Sequence, residues 1–157
     1  MNQNDKFVVI CDNIRSLYNV GSIFRTSDAL GVNKIYLCGI TGTPLQSGLA
    51  KVSLGAENSV KWEHVKSTWR LIEKLRKDGY NVVALEQTKN SIDIKNLRPK
   101  FPLALVVGNE IDGVSESVLK RSNKSIYLPM KGVKESLNVS VAFGIAGYIL
   151  VHKVKSL

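Results

Sequence analysis

The residues best suited to chemistry follow three predicted strands, the position at which open parallel sheets place their ligand sites. After the strand Leu103–Val107 the chain reads Gly108-Asn-Glu110-Ile-Asp-Gly113, and a helix begins at Ser115. Glycines at a strand end let the backbone approach a flat ligand such as adenine. A plain strand–turn–helix connection explains Gly113 and a capping Ser115, but it gives Glu110 no role.

A second cluster spans Asn13 to Gly31 and contains Asn19 and, six positions later, Arg25. Asn19 is expected to cap the helix that begins beside it, with Arg25 almost two turns further on, so that both side chains face one cleft. Each residue taken singly also has a plainer interpretation, because asparagine is a common helix cap and arginine is a common surface residue.

The third cluster spans Ile126 to Ala142, where short polar residues precede a helix that is otherwise apolar. Pro129 ends the strand, Gly132 permits a turn, and Ser136 and Asn138 stand just before the helix. Asn138 as the helix cap is the simpler interpretation. It does not explain why so many polar groups precede so apolar a helix.

Several common sites are disfavoured because their motifs are missing. The sequence has no GxxxxGKS or GxxxxGKT phosphate loop and no GxGxxG after a strand. No metal site is expected, since His64 and His152 are the only histidines and neither CxxC nor HExxH occurs. A Ser-His-Asp hydrolase is weakly supported, because there is no GxSxG elbow.

The charge balance points to an anionic partner. The chain of 157 residues has 22 lysines and arginines against 13 aspartates and glutamates, a net charge of +9. A surplus of this size on a small domain most often indicates nucleic acid. Most of these basic residues are lysines, and a lysine-rich surface also serves solubility, so charge alone leaves both interpretations open.

Length and composition favour one compact domain over residues 1–157, with no repeat or linker at which to divide it. Cys11 and Cys38 both fall in predicted buried strands, which is typical of reduced core thiols. The N-terminus lacks a secretory signal. The longest charge-free apolar run, Val139–Val151, is well short of the roughly 20 residues that cross a bilayer. A cytoplasmic protein with no membrane partner is therefore expected.

Short β-branched runs alternate with helical patterns along the whole chain, which predicts an α/β fold: a parallel sheet with helices on both faces. The predicted strands are Phe7–Cys11, Lys34–Cys38, Val60–Glu63, Asn81–Glu86, Leu103–Val107 and Ser125–Leu128. The predicted helices are Val20–Leu30, Thr68–Lys77, Ser115–Ser122 and Asn138–Val154.

Two long irregular stretches remain between these elements, Gly39–Gly55 and Thr88–Lys100. Loops of this length in a compact α/β unit are usually functional, and we expect the glycine-rich first one to contact a ligand or RNA. The last helix has no wide polar face, which predicts burial against the sheet or against a second subunit.

Together and in this order, the clusters resemble the signature motifs of the SpoU/TrmH branch of the SPOUT superfamily, the S-adenosylmethionine-dependent RNA 2′-O-ribose methyltransferases. The first two motifs are represented by Asn19, Arg25-Thr26, Asp28-Ala29 and Gly31, and by Gly108-Asn-Glu110 and Gly113. The third is represented by Pro129-Met130 followed by Ser136 to Ala142. A further element, Lys51 to Glu57, also resembles the family.

The resemblance implies a C-terminal deep trefoil knot that forms the site of S-adenosyl-L-methionine, and no metal. It also implies a homodimer whose active sites lie near the interface, which would give the apolar last helix a partner. No appended RNA-binding domain is expected, unlike in many relatives. The catalytic domain itself would then select the RNA substrate, with tRNA preferred over rRNA.

The resemblance also implies roles for single residues. Five would surround the cofactor, chiefly through backbone groups: Gly108, Glu110, Leu128, Met130 and Leu137. Four would serve the reacting ribose and its phosphate: Asn19, Arg25, Ser136 and Asn138. The family account often makes the arginine the general base, but a guanidinium with a pKa above about 12 is a poor base, and a bidentate phosphate contact is physically easier. The alternative function is a non-catalytic RNA-binding protein that retains the knotted fold.

Overall fold

A parallel sheet of seven strands forms the centre of the molecule, for which a computed structural model describes residues 5–153. In chain order the strands β1 to β7 are Phe7–Asp12, Lys34–Cys38, Lys61–Val65, Asn81–Leu85, Ile92–Asp93, Leu103–Gly108 and Lys124–Tyr127. They lie in the order β3-β2-β1-β6-β4-β7-β5, and each neighbouring pair is parallel. The predicted α/β class with a parallel sheet is confirmed.

Six α-helices within residues 5–153 connect the strands. In chain order α1 to α6 are Leu17–Leu30, Ala50–Ser53, Ala56–Ser59, Thr68–Lys77, Glu116–Arg121 and Val139–Lys153. The four predicted helices and six predicted strands are all present, with ends shifted by at most three residues. Val154, the predicted last residue of α6, lies outside the described residues. The short elements α2, α3 and β5 and a 3-10 turn at Ile94–Asn96 fall in the two stretches predicted to be irregular or directly beside them.

The start of α1 differs from the prediction. The helix begins at Leu17, and Ser16 is its N-cap, since the Ser16 side-chain oxygen accepts a hydrogen bond from the Asn19 backbone N–H at 3.3 Å. Asn19 therefore does not cap the helix. It lies within the first turn, where the residue is only 4% exposed.

Helices cover both faces of the sheet, because side chains alternate along each strand. Phe7, Val9 and Cys11 of β1 point into a core that they share with α1 and α6. Val8 and Ile10 point into the opposite core, shared with α4 and α5. In register, Asp12 at the end of β1 lies between Cys38 of β2 and Gly108 of β6, so three strand ends meet at one edge.

The last helix, α6, is buried on one side only. Gly147 packs tightly on α1, where an added methyl group would lie 2.6 Å from Leu30 Cδ1. On the opposite side Val141, Ile145 and Tyr148 remain 42–58% exposed. The sheet and α1 therefore cover half of this apolar helix. Within residues 5–153, no helix has the length and apolar character that crossing a membrane requires.

Both cysteines are free thiols in the sheet. Burial is the largest cause that raises the pKa of Cys11 well above its ordinary range. Burial likewise raises the pKa of Cys38 to about 12. The two thiols therefore stay protonated and act as small apolar core groups.

Candidate active site

A cleft of about 530 Å³ opens at the carboxyl ends of β4, β6 and β7. Its volume lies within the range of about 300–1,000 Å³ that is usual for small-molecule sites. The loop after β6 and the loop that leads into α6 form much of its wall. Seven of the nine residues singled out from the sequence line this cleft: Gly108, Glu110, Leu128, Met130, Ser136, Leu137 and Asn138.

The loop after β6 is closed by its own backbone and by Asn109. Asn109 and Gly113 exchange two backbone hydrogen bonds of 2.9 and 3.0 Å. The Asn109 side-chain oxygen accepts hydrogen bonds from the backbone amides of Ile111 and Asp112. Its Nδ2 donates to the Asn13 carbonyl at 2.8 Å. The loop is thus a compact turn that is fastened to the residues after β1.

Glu110 extends its side chain towards the start of α1. Oε2 accepts the Arg15 backbone N–H at 3.0 Å, and Oε1 accepts the Ser16 backbone N–H at 3.0 Å. Oε1 also accepts Nδ2 of Asn19 at 3.0 Å. Partial desolvation raises the pKa of Glu110, but the hydrogen bonds from Arg15, Asn19 and Ser16 outweigh it and hold the pKa below its ordinary value. The carboxylate is therefore ionised at neutral pH.

Asn138 joins the cleft to α1 and at the same time caps α6. Its Nδ2 donates to Oδ1 of Asn19 at 3.1 Å. Its Oδ1 accepts the Ser140 backbone N–H at 2.9 Å and the Ser140 hydroxyl at 2.6 Å. The helix-cap interpretation of Asn138 is thus confirmed, and the capping residue also lines the cleft. Asn19 does not line the cleft itself, but it is hydrogen-bonded to a residue that does.

Arg25 stands apart from the other eight residues. It is exposed on α1 and, within residues 5–153, neither lines the cleft nor makes a hydrogen bond or ion pair. Six helical residues rotate the chain by about 600°, so Arg25 projects about 120° away from Asn19 around the α1 axis. The expectation that both side chains face one cleft is therefore wrong for a single chain.

Sequence reasoning missed two carboxylates near the cleft. Glu86, just after β4, lines the cleft, and its Oε2 accepts the Val114 backbone N–H at 2.9 Å. Asp12 is only 1% exposed and accepts hydrogen bonds from the Thr68 hydroxyl and from both the amide and the hydroxyl of Ser115. Ser115 therefore occupies the N-cap position of α5 but directs its side chain to Asp12, contrary to prediction. The only local signal was an acidic residue at a strand end.

The glycine-rich stretch Gly39–Gly55 does not line the cleft among the described residues. It braces the loop after β1 instead. Thr41, which is buried, accepts the Ile14 backbone N–H at 3.0 Å and donates to the Cys11 carbonyl at 3.2 Å. The ligand contact that we expected from this stretch is therefore not found at the cleft.

Part of the loop that leads into α6 lines the cleft, namely Met130 and residues 135–138. Within the described part of the chain, none of the backbone N–H groups of residues 130–137 donates a hydrogen bond. A ligand held chiefly by backbone groups needs such donors and acceptors. In the same described part, no group of three or more histidine, cysteine or acidic side chains could hold a metal ion.

The sequence model of the SpoU rRNA methylase family matches residues 6–148. The chain belongs to this family. The Aquifex aeolicus (strain VF5) tRNA (guanosine(18)-2′-O)-methyltransferase is 35% identical to it over 145 residues, which make up 90% of this chain and 66% of that relative. Other curated relatives at 34–35% identity are matched over 58–59% of their length. This SpoU-family chain therefore spans about two thirds or less of the relatives' length.

Solved structures of the family share its fold. The Aquifex aeolicus TrmH/SpoU tRNA-modifying enzyme superposes with a TM-score of 0.87 at 30% identity, covering 98% of this chain and 79% of that one. An AdoMet-bound rRNA methyltransferase from Sinorhizobium meliloti superposes with a TM-score of 0.89 at 28% identity, covering 96% and 57%. These two structures thus share the α/β core of this chain.

Proposed function

We propose that this SpoU-family protein transfers a methyl group from S-adenosyl-L-methionine to a ribose 2′-hydroxyl of structured RNA, with tRNA preferred over rRNA. One observation carries the proposal: a single cleft is lined by all five candidate cofactor residues and by two of the four candidate ribose residues. The similar Aquifex protein named as a tRNA 2′-O-methyltransferase supports both the reaction and the tRNA preference.

The walls of the cleft fit this cofactor. Apolar side chains, among them Leu85, Leu128 and Val139, line it beside the backbone of the two loops. Met130 and residues 135–137 also line it, and their N–H groups, which donate no hydrogen bond within the described residues, would supply donors for an adenine ring and a ribose. The S-adenosylmethionine sulfonium would supply an electrophilic methyl group, so the protein needs neither a nucleophile nor a metal for this step.

The task left to the chain is to align the 2′-oxygen with that methyl group. Effective-molarity arguments attribute up to roughly 7–11 kcal/mol to such alignment. Asn19, Ser136 and Asn138 carry the amide and hydroxyl groups that would hold the ribose. Arg25 would bind the adjacent phosphate by a bidentate contact, which suits a guanidinium better than proton abstraction does.

We also propose a homodimer built on the exposed sides of α6 and α1. Val141, Ile145 and Tyr148 form an apolar stripe on α6, and Tyr18 on α1 is 64% exposed. Replacing Ile145 with lysine should shift the mass measured by light scattering towards that of a monomer. Leu45→Lys, at an 86% exposed loop residue, is the matched control and should leave the mass unchanged.

In this proposal residues 1–157 form one methyltransferase domain, the segment from residue 128 into α6 is threaded as the family's trefoil knot, and the protein works in the cytoplasm. The basic surplus of the chain would bind RNA phosphates. Lysines and arginines outnumber acids on α4, which has Arg70, Lys74, Arg76 and Lys77 against Glu73. This helix lies on the face of the sheet opposite α1 and α6, so it stays open in the proposed dimer.

The test is transfer of labelled methyl groups from S-adenosyl-L-methionine to unmodified tRNA and, separately, to unmodified rRNA. Wild type should label one RNA pool, and Arg25→Ala should abolish that label. Arg98→Ala, in the loop before β6, is the matched control and should retain activity. Full activity of Arg25→Ala would refute the role of Arg25. Cofactor binding without transfer to either RNA would favour the non-catalytic RNA-binding function instead.

A further inference from the structure

Three polar side chains from three separate elements form one continuous chain of hydrogen bonds. Glu110, after β6, accepts from Nδ2 of Asn19 on α1, and Asn19 Oδ1 accepts from Nδ2 of Asn138 before α6. Asn138 Oδ1 in turn accepts from the backbone N–H of Ser140. The bonds are 2.9–3.1 Å long, within the usual range for N–H···O hydrogen bonds.

Both ends of this chain have a fixed polarity. An ionised carboxylate can only accept hydrogen bonds, and a backbone N–H can only donate them. Glu110 therefore requires the NH₂ group of Asn19 on its side, which turns the Asn19 oxygen towards Asn138. The Ser140 N–H requires the oxygen of Asn138 on its side, which turns the Asn138 NH₂ towards Asn19. Only one orientation of each amide satisfies every bond.

The carboxylate oxygens of Glu110 are already occupied by protein donors. Oε1 accepts from the Ser16 amide and from Asn19, and Oε2 accepts from the Arg15 amide. These donors use three of the roughly four acceptor sites of the carboxylate, and Oε1, the oxygen that faces Asn19, has none left for a ligand. Glu110 also lines the cleft.

We propose that Glu110 is a positioning residue: its carboxylate fixes the orientation of the Asn19 amide and, through Asn19, that of Asn138, while only its backbone faces the cofactor. This inference rests on the proposed function, in which the two amides hold the ribose. In this arrangement the backbone of the loops contacts the cofactor on one side of the cleft. On the other side, the ionised carboxylate of Glu110 fixes the side chains that contact the ribose.

The test reverses the polarity of the first bond. Glu110→Gln places an NH₂ group among three N–H donors, and Asn19→Asp places a second carboxylate beside Glu110. In the double variant the new glutamine can donate to the new aspartate, and that aspartate can still accept from Asn138. We expect each single variant to lower kcat at saturating RNA by at least about tenfold, because Glu110→Gln places donor against donor and Asn19→Asp places carboxylate against carboxylate, beside a position that is only 4% exposed. The double variant should be at least about threefold faster than Asn19→Asp.

Measuring kcat and cofactor affinity separately distinguishes a residue that positions other side chains from one that binds the cofactor. Glu110→Gln should bind S-adenosyl-L-methionine, measured by titration calorimetry, within about twofold of wild type. Glu116→Gln, a surface glutamate on α5 that forms an ion pair with Lys120, is the control and should change neither value. Melting temperatures of all variants identify any that fail to fold.

Three results would overturn the inference. One is a Glu110→Gln variant that binds the cofactor at least tenfold more weakly but keeps the wild-type kcat, which would make Glu110 a cofactor ligand. Another is a double variant no faster than Asn19→Asp. The third is independent of activity: the side-chain NH₂ signals of Asn19 and Asn138 in ¹⁵N NMR spectra should shift in Glu110→Gln, and their constancy would refute the relay. If wild type transfers no methyl group, the proposed function fails while this third measurement still decides the relay.

Discussion

Replacing Gly108 with alanine should deform the floor of the cleft, because two stretches of backbone cross at this residue. The new methyl group would lie 2.3 Å from the carbonyl carbon of Gly113 and 2.3 Å from the nitrogen of Val114, where ordinary contacts measure 3.4–4 Å. Because both neighbours are backbone atoms, no side chain can rotate aside, and the loop must move by about 1 Å. Overpacking of this kind costs about 1–3 kcal/mol.

The expected effect is on stability and on cofactor binding together, since the displaced loop also lines the cleft. For a chain of this size, each kcal/mol lowers the melting temperature by about 2–4 °C. Differential scanning calorimetry measures that loss, and titration calorimetry measures the dissociation constant of S-adenosyl-L-methionine. Gly132→Ala is the matched control in the other loop of the cleft, because an added methyl group there has no heavy atom within 4 Å.

We expect Gly108→Ala to lose stability and cofactor affinity, and Gly132→Ala to change by no more than a small amount. If Gly108→Ala melts and binds the cofactor as wild type does, the crossing of Gly108 with residues 113–114 does not shape the cleft. If both variants lose affinity equally, the effect comes from loop stiffness in general. Either outcome would refute the steric argument.

Three further predictions follow from other contacts. Asp12→Asn replaces a buried acceptor of four hydrogen bonds with a group that also donates, so it should lower the free energy of urea unfolding by about 1–3 kcal/mol; an unchanged unfolding midpoint would contradict this. Hydrogen bonds hold the pKa of Glu110 below its ordinary value. The ionised carboxylate therefore stabilises the fold at pH values above the ordinary pKa, and this stabilisation is lost as the pH falls through the pKa of the folded state. As the pH is lowered from about 6 to about 3, the free energy of unfolding of Glu110→Gln should therefore fall by less than that of wild type. Urea titrations of both proteins at each pH measure this fall, and an equal fall in both would contradict the prediction. The double variant Lys74→Ala/Lys77→Ala should reduce the salt slope of tRNA binding by about 2, as measured by filter binding, whereas Lys61→Ala, at the far edge of the sheet, should leave it nearly unchanged.

Local sequence patterns predicted most of the fold because the strands that matter are strongly apolar. The runs at Phe7 and Leu103 are buried along their whole length, and nothing but a central strand accommodates them. β5 went unnoticed because two residues, Ile92 and Asp93, show no periodicity. The start of α1 cannot be fixed from the sequence because serine and asparagine are equally good caps, and apolar spacing alone does not distinguish Ser16 from Asn19.

The sequence predicted which residues line the candidate site, but it did not predict the hydrogen bonds between them. Two of the three motifs identified residues that line the cleft because each motif follows the end of a strand. The bond from Glu110 to Asn19 joins residues 91 positions apart, so no local pattern could reveal it. The rotation of Arg25 away from Asn19 follows from helix geometry, but which side of α1 faces the cleft depends on how α6 packs, and that is a tertiary property.

The strand order β3-β2-β1-β6-β4-β7-β5 has a consequence for synthesis on the ribosome. β1 is made first among the strands, yet its second neighbour, β6, begins about 90 residues later, a delay of roughly 5–20 s at elongation rates of about 5–20 residues per second. β4 emerges before either of its neighbours. During that interval the nascent chain exposes an apolar strand edge, the kind of surface that chaperones protect and that aggregates when left bare. The innermost pairing of the sheet, β1 with β6, is therefore among the last to form.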